Sequence, residues 1–113
     1  MALTEKKLGQ AAVNSSETTI YTARDGYTTI VRIIWIANVS SADVTVSVWN
    51  PTASTTTADA NQLIDTMTVP KNDFVQISTY IVMTYSAGAG DTIRALCSSA
   101  NAATMTLYGA EIN

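Results

Sequence analysis

The chain has 113 residues, of which 47% are hydrophobic and only 13% are charged, and its formal net charge is −3; this length suits one domain with a modest core. It has no histidine and one cysteine, which excludes imidazole-based catalysis, histidine-based zinc sites and an intrachain disulfide. The acidic balance, the lack of a basic patch and the lack of a long apolar run argue against partners that are nucleic acids or membranes.

Residues 1–16 are polar and small and show no sustained hydrophobic period. Such a segment is typical of an extended or poorly ordered arm that becomes ordered against a partner. No apolar core or cleavage site of a signal peptide follows Met1, so we expect synthesis in a cytoplasm. The sequence therefore predicts an N-terminal arm over residues 1–16 and a folded domain over residues 17–113.

The most informative stretch is Tyr27–Asn38, which is dense in β-branched and aromatic residues and predicts one long strand. Because side chains alternate along a strand, one face carries four apolar residues: Val31, Ile33, Trp35 and Ala37. The opposite face carries three isoleucines and an arginine: Ile30, Arg32, Ile34 and Ile36. Both faces are largely apolar and each has to be covered. Either the domain itself covers the second face, or another subunit does.

Shorter β-like runs with turn signals between them occupy the rest of the chain. We predict strands over residues 18–23, 43–49, 62–69, 74–78, 80–83, 92–98 and 103–111. Residues 51–60 should form an exposed loop. About eight short strands without a convincing helix predict an all-β, single-domain antiparallel β-sandwich of jelly-roll-like type, with strand order left open.

We find no residue set that indicates an enzyme. Cys97 has no base to activate it and is expected to be a buried thiol. The loop that ends at Asp91 lacks the Lys-Ser/Thr of a P-loop and lies between two strands, so Asp91 should hydrogen-bond the backbone of the turn. We therefore predict no catalytic residues, no cofactor, no metal and no small-molecule substrate.

Several segments, taken together and in order, resemble a known group of proteins. They are Leu8–Gln10, Thr19–Thr22, Gly26–Val31, Ile34–Ser40, Gly90–Arg94 and Leu107–Ile112. This pattern resembles the small β-sandwich structural proteins of tailed bacteriophages, which occur as head decoration (cement) proteins and in neck or tail parts. The resemblance covers nearly the whole chain from Leu8.

The resemblance implies a non-enzymatic structural protein on the capsid surface of a virion, made in the host cytoplasm, that binds the major capsid protein and assembles as a homotrimer. The alternatives are a neck, tail or fibre component and, from another class, a carbohydrate-binding module that uses Trp49, Tyr80 or Tyr85 as stacking platforms. Outward aromatic residues are also typical interface anchors. The candidate subunit or capsid contacts are Leu3, Leu8, Ile30, Arg32, Ile34, Ile36, Trp49 and Tyr108.

Overall fold

The computed structural model describes residues 3–53 and 55–113, which are mainly β-structure. The strands are β1 (Leu3–Val13), β2 (Thr18–Thr22), β3 (Thr28–Asn38), β4 (Val44–Trp49), β5 (Gln62–Val69), β6 (Phe74–Met83), β7 (Tyr85–Ser86), β8 (Ala89–Gly90), β9 (Thr92–Cys97) and β10 (Ala103–Ile112). One 3₁₀ turn, Asp59–Asn61, lies before β5. The predicted all-β class is confirmed, and the two runs predicted over 74–78 and 80–83 form one strand.

Two four-stranded antiparallel sheets make up the domain. The front sheet has the order β1-β10-β3-β6, and the back sheet has the order β2-β9-β4-β5. The short strands β7 and β8 form a separate hairpin before β9. The structure therefore confirms the predicted single-domain antiparallel β-sandwich.

The strand order follows a nested pattern that the sequence does not reveal. Strands β4 and β5 pair at the centre of the chain, and outward from them β3 pairs with β6, β2 with β9 and β1 with β10. This long folded ribbon is rolled up by two further pairings, β10 with β3 and β9 with β4. A rolled double ribbon of eight strands in two sheets is the jelly-roll arrangement.

The core lies between the two sheets and consists of aliphatic residues that alternate with outward residues. The side chains of Val44, Val46 and Val48 on β4 face inward, as their alternation predicts, and they are buried. From β10, Met105 and Leu107 are fully buried against them. Each such aliphatic side chain contributes about 1.5–3 kcal/mol of burial free energy, so these two layers hold the sandwich together.

The N-terminal segment is part of the sandwich rather than an arm beside it. Strand β1 is extended, as predicted, but it pairs along its whole length with β10. Val13 is fully buried, and Leu8 and Ala11 pack against the core. The register of the pairing between β1 and β10 shifts between Lys7 and Gly9. This irregularity interrupts the alternation of inward and outward side chains by which a strand is recognised in a sequence. Residues 3–13 therefore belong to the same sandwich as the rest of the described chain, and the predicted boundary between an arm and a domain does not separate them from it.

A second irregularity, at Arg32, changes the faces of β3. The register with β10 and with β6 shifts between Val31 and Ile33. As a result Val31 faces inward together with Ile34 and Ile36, and all three have no exposed surface. Ile33 and Trp35 lie on the outer side. On the N-terminal side of Arg32 the predicted assignment of side chains to the two faces is therefore wrong. The bulge adds one residue to the strand and so shifts the alternation of the side chains by one position.

Asp91 hydrogen-bonds backbone groups, as predicted, but these groups lie outside its own turn. The Asp91 carboxylate accepts hydrogen bonds from the backbone N–H groups of Ala53 (2.9 Å) and Thr84 (3.0 Å). It thereby ties the β4–β5 loop to the start of β9. The thiol of Cys97 is fully buried. Both residues thus have structural roles in the sandwich.

Candidate interaction face

The outer side of the front sheet, called the front face here, carries most of the exposed large apolar side chains among the described residues. Five of the seven such residues lie on it: Leu3, Phe74, Tyr80, Val82 and Tyr108. Along β6 the exposed positions alternate regularly with half-buried ones, so its outward residues form a continuous row. The row is apolar at its two ends and polar between them, at Gln76 and Ser78. Exposed apolar surface of this kind is typical of an interaction site.

A stacked aromatic pair lies at one end of this row. The Trp35 ring on β3 and the Phe74 ring on β6 are nearly parallel, at 4°, with centroids 4.5 Å apart. Phe74 pairs in register with Ala37, one outward position from Trp35, so the two rings meet diagonally across neighbouring strands. Phe74 remains half exposed, so the pair offers a rigid flat apolar surface to a partner.

The other end of the row contains Tyr80 and Val82. The side chain of Tyr80 is 70% exposed, the largest exposed fraction among the large hydrophobic residues described. Val82 is half exposed and pairs in register with Ile30, which is buried but lies outside the interior core cluster. Because cross-strand partners lie on the same face, Ile30 lies on the front face, where neighbouring side chains cover it, and does not belong to the interior between the sheets.

The front face becomes charged toward β1. Tyr108 pairs with Ile33 on one side and with Lys7 on the other. The Arg32 Nε atom lies 3.5 Å from the Glu5 Oε1 atom, and both side chains are exposed. An open depression of about 370 Å³ lies among these residues. Exposed ion pairs contribute little stability. This region therefore differs from the apolar row in the polarity of the surface that it presents.

The outer side of the back sheet, called the back face here, has a different character. Its outward positions are dominated by threonine: Thr19, Thr22, Thr45, Thr68 and Thr92. Trp49 is also on this sheet, in register with Arg94 and half-buried. Hydroxyl groups keep such a surface hydrated. Of the seven exposed large apolar residues among those described, only Leu63 belongs to a strand of the back sheet.

The one strongly perturbed carboxyl group among the described residues is Glu111, at the end of β10, where its side chain is 3% exposed. Arg24 Nε and Nη2 donate to its two oxygens, each at 2.9 Å, and Lys6 Nζ donates at 3.0 Å. Tyr21 Oη also donates to it at 2.9 Å and shares a hydrogen bond with the Thr29 hydroxyl. This cluster joins β1, β2, β3 and β10 at one end of the sandwich.

The charges in this cluster control the protonation of Glu111. The Arg24 guanidinium lowers the pKa of Glu111 from 4.5 to about 2; burial opposes this shift, and hydrogen bonds from Lys6 and Tyr21 support it. Burial raises the pKa of Tyr21. A carboxylate held ionised by two cations is a poor proton donor at neutral pH, so the cluster is structural in character.

The structure separates the predicted contact residues into distinct groups. Leu3, Arg32 and Tyr108 are exposed on the front face, and Ile30 lies on the same face but is largely covered by its neighbours. The side chains of Ile34 and Ile36 are fully buried between the sheets, so no subunit can contact them without opening the core. They are corrected here to core residues. Leu8 also packs against the core, and Trp49 lies on the back sheet, away from the others.

Sequence reasoning missed Phe74 and Val82 as contact candidates. The signal was present in the sequence, since Phe74, Gln76, Ser78, Tyr80 and Val82 alternate without interruption. The break expected at Thr79 concealed it. In the structure Thr79 Oγ1 donates to the Val31 carbonyl at 3.0 Å, beside the register shift with β3, and the strand continues.

Comparison with protein-family models, with curated proteins and with solved structures gives no match for this chain. Within residues 3–53 and 55–113, no group of three or more cysteine, aspartate or glutamate side chains is placed to hold a metal ion. In the same part of the chain, no helix has the length and apolar character needed to cross a membrane.

Proposed function

We propose that this protein is a non-enzymatic structural component of a virion, a capsid decoration (cement) protein that binds the major capsid protein lattice. The observation that carries the proposal is the exposed apolar row on the front face, anchored by Trp35 and Phe74. The resemblance to phage structural proteins supplies the identity of the partner. The physical properties of the front face support a role in protein binding.

The front face suits docking onto a large, regular surface. Aromatic side chains dominate the binding energy of many interfaces because they bury much area with few rotatable bonds. Phe74 and Tyr80 provide such side chains, and the intervening Gln76 and Ser78 are uncharged. A partner therefore meets an uncharged strip with apolar ends on a rigid sheet, and little conformational entropy is lost on binding.

The stabilising mechanism is mass action. A protein that binds only the assembled shell shifts the equilibrium toward that shell. When many copies contact neighbouring capsid subunits, modest individual affinities add up through the lattice. The resemblance also implies that copies assemble as homotrimers on the capsid surface, and this remains a prediction.

Quantitative mass spectrometry of purified virions tests the proposal directly. A copy number comparable with that of the major capsid protein would support a place on the head lattice. A count at the level of portal or tail proteins would contradict that place and favour the neck, tail or fibre alternative. Absence from virions would overturn the virion assignment altogether.

A binding assay with purified capsids identifies the face that docks. We expect the change Phe74→Ser to release the protein from capsids in a co-sedimentation assay, because it removes one ring of the stacked pair. The matched control is Thr68→Ser on the back face, which should bind like the wild type. Equal loss of binding in both variants would contradict docking through the front face.

A carbohydrate-binding module is the second candidate function, and the exposure of Tyr80 favours it. Stacking of a sugar needs an accessible aromatic ring, and the jelly-roll fold also occurs in lectins. Trp49 and Tyr85 are half-buried, so Tyr80 is the strongest platform of the three proposed. A glycan array with the wild type and with Tyr80→Ser separates the two functions, since a decoration protein should show no sugar-dependent binding.

A further inference from the structure

The sandwich has four edge strands, and three of them have features that hinder the addition of another strand. Strand β1 carries the adjacent charges Lys6 and Lys7 next to its register shift. Strand β5 carries Asp65 beside Thr66, whose φ is +44°. Strand β2 has only five residues and an irregular register. Charges, bulges and short length all discourage pairing at a sheet edge.

Strand β6 (Phe74–Met83) also has a register shift, between Ser78 and Ile81, but it has neither the charges of β1 and β5 nor the short length of β2. It has ten residues, and none of them is charged, glycine or proline. A strand of this length spans about 33 Å. It pairs with β3 on one side and is the last strand of the front sheet on the other. Its outer edge therefore presents unpaired backbone N–H and C=O groups.

The side chains beside this edge are uncharged on both sides of the sheet, and most of them are apolar. Phe74, Tyr80 and Val82 are exposed on the front face. On the inner side Val75, Ile77 and Ile81 pack against the core but are only partly buried. A strand added at this edge would cover apolar surface on both faces while it satisfies the backbone hydrogen bonds.

We propose that β6 pairs antiparallel with β6 of a second copy of this chain about a two-fold axis. The two front sheets then form one continuous sheet of eight strands. Cross-strand neighbours in an antiparallel pair lie on the same face, so the partly buried aliphatic residues of the two strands meet on the inner side, and the uncharged residues of the two outer rows meet on the front face. In a two-fold contact residue i meets residue j and residue j meets residue i, so only residues at the axis meet their own counterparts. With the axis at Gln76 the two copies of this residue meet, and an uncharged strand tolerates this without repulsion.

The absence of charge also favours self-pairing over pairing with a charged partner. A partner strand with lysine or glutamate would find no opposite charge on β6 and would lose hydration at the contact. The other long edge strand of the front sheet, β1, carries Glu5, Lys6 and Lys7 and is unsuitable for this reason. The pairing needs no capsid, so it does not depend on the proposed decoration function. For the isolated protein it is an alternative to the homotrimer that the resemblance implies.

Sedimentation velocity over a concentration series tests the pairing with the isolated protein. The variant is Gln76→Lys, because Gln76 is exposed near the middle of the regular part of β6. We expect the wild type to dimerise and the variant to dimerise at least about tenfold more weakly, since like charges are brought together at the two-fold contact. The matched control, Thr68→Lys on the back face, adds the same charge and should dimerise like the wild type.

Circular dichroism melting should show that both lysine variants are folded, because both positions are exposed. Hydrogen exchange provides a second measurement: amides of β6 should become more protected as the wild-type concentration rises, whereas those of β5 should not change. A wild type that stays monomeric at millimolar concentration would overturn the proposal. A strict trimer, or equal dimerisation of Gln76→Lys and wild type, would also overturn it.

Discussion

The two outer faces of the sandwich differ although both cover the same core. The front face presents the Trp35–Phe74 stack and the exposed Tyr80 and Val82. The back face presents a field of threonines, with Trp49 only half exposed. Threonine and the aromatic residues have similar strand propensities, so the requirement to form strands does not explain this difference.

The difference indicates where the molecule makes its contacts. A sheet whose outer face contacts only solvent can present hydroxyl side chains there, as the back sheet does. Exposed aromatic and aliphatic residues in one row carry a cost in solubility and are usually retained for binding. The comparison supports our proposal that the front sheet makes the contacts of the molecule and that the back sheet serves stability. The following predictions test this division.

The largest effect is expected from placing a charge inside the core next to the β3 bulge. Ile34 faces the core and its neighbour Ile33 faces out. We expect Ile34→Asp to destabilise the protein by about 4–5 kcal/mol and to unfold it, because an unpaired carboxylate would be buried. Ile33→Asp should cost about 1 kcal/mol. Urea unfolding of both variants checks this, and similar midpoints would contradict the assignment of the faces.

Substitution of Gly109 should cause the second largest loss of stability. A Cβ atom there would lie 1.9 Å from the Ile30 carbonyl oxygen, which is backbone and cannot move easily. We expect Gly109→Ala to cost about 2–3 kcal/mol through local strain. The matched change Gly88→Ala meets no neighbouring atom but has a φ of +82°, so it should cost about 1 kcal/mol. Thermal unfolding of both variants checks this. A larger loss of stability in Gly88→Ala than in Gly109→Ala would contradict the predicted order.

The Glu111 cluster should make the free energy of unfolding depend on pH in the acid range. The folded-state pKa of about 2 lies below the ordinary value of 4.5, so the stabilisation is fully present above pH 4.5 and is lost as the pH falls toward 2. We expect Glu111→Gln to cost about 2 kcal/mol at neutral pH. The difference from the wild type should shrink in acid. A difference that is constant from pH 7 to pH 3 would exclude this linkage.

The smallest effect on stability is expected on the front face itself. Tyr80 is 70% exposed, so Tyr80→Ser should change the free energy of unfolding by less than about 0.5 kcal/mol. The same change should weaken the binding of capsids, because the side chain serves a contact and not the fold. Measuring both quantities on one preparation separates interaction from stability. A large loss of stability would place Tyr80 in the structure instead.

Much of the local structure could be predicted from the sequence. Strand β5 has the predicted limits, and β3, β4 and β10 differ from theirs by one residue. Regular alternation in Val44, Val46 and Val48 located the core side of β4 correctly. The prediction failed where the period was disturbed, at Leu8 in β1 and at Arg32 in β3. A bulge shifts the face of every residue beyond it, and a single sequence does not mark where this happens.

By itself, the sequence determined that the chain is an all-β domain, because short alternating runs and turn residues act locally. It also determined the absence of imidazole chemistry and the low charge. Only the tertiary structure decided that residues 3–13 form an edge strand, that Ile34 and Ile36 are core residues, and that β6 is left as an unprotected edge. These properties depend on which strands lie side by side, and such pairings join residues as far apart in the chain as Leu3 and Ile112.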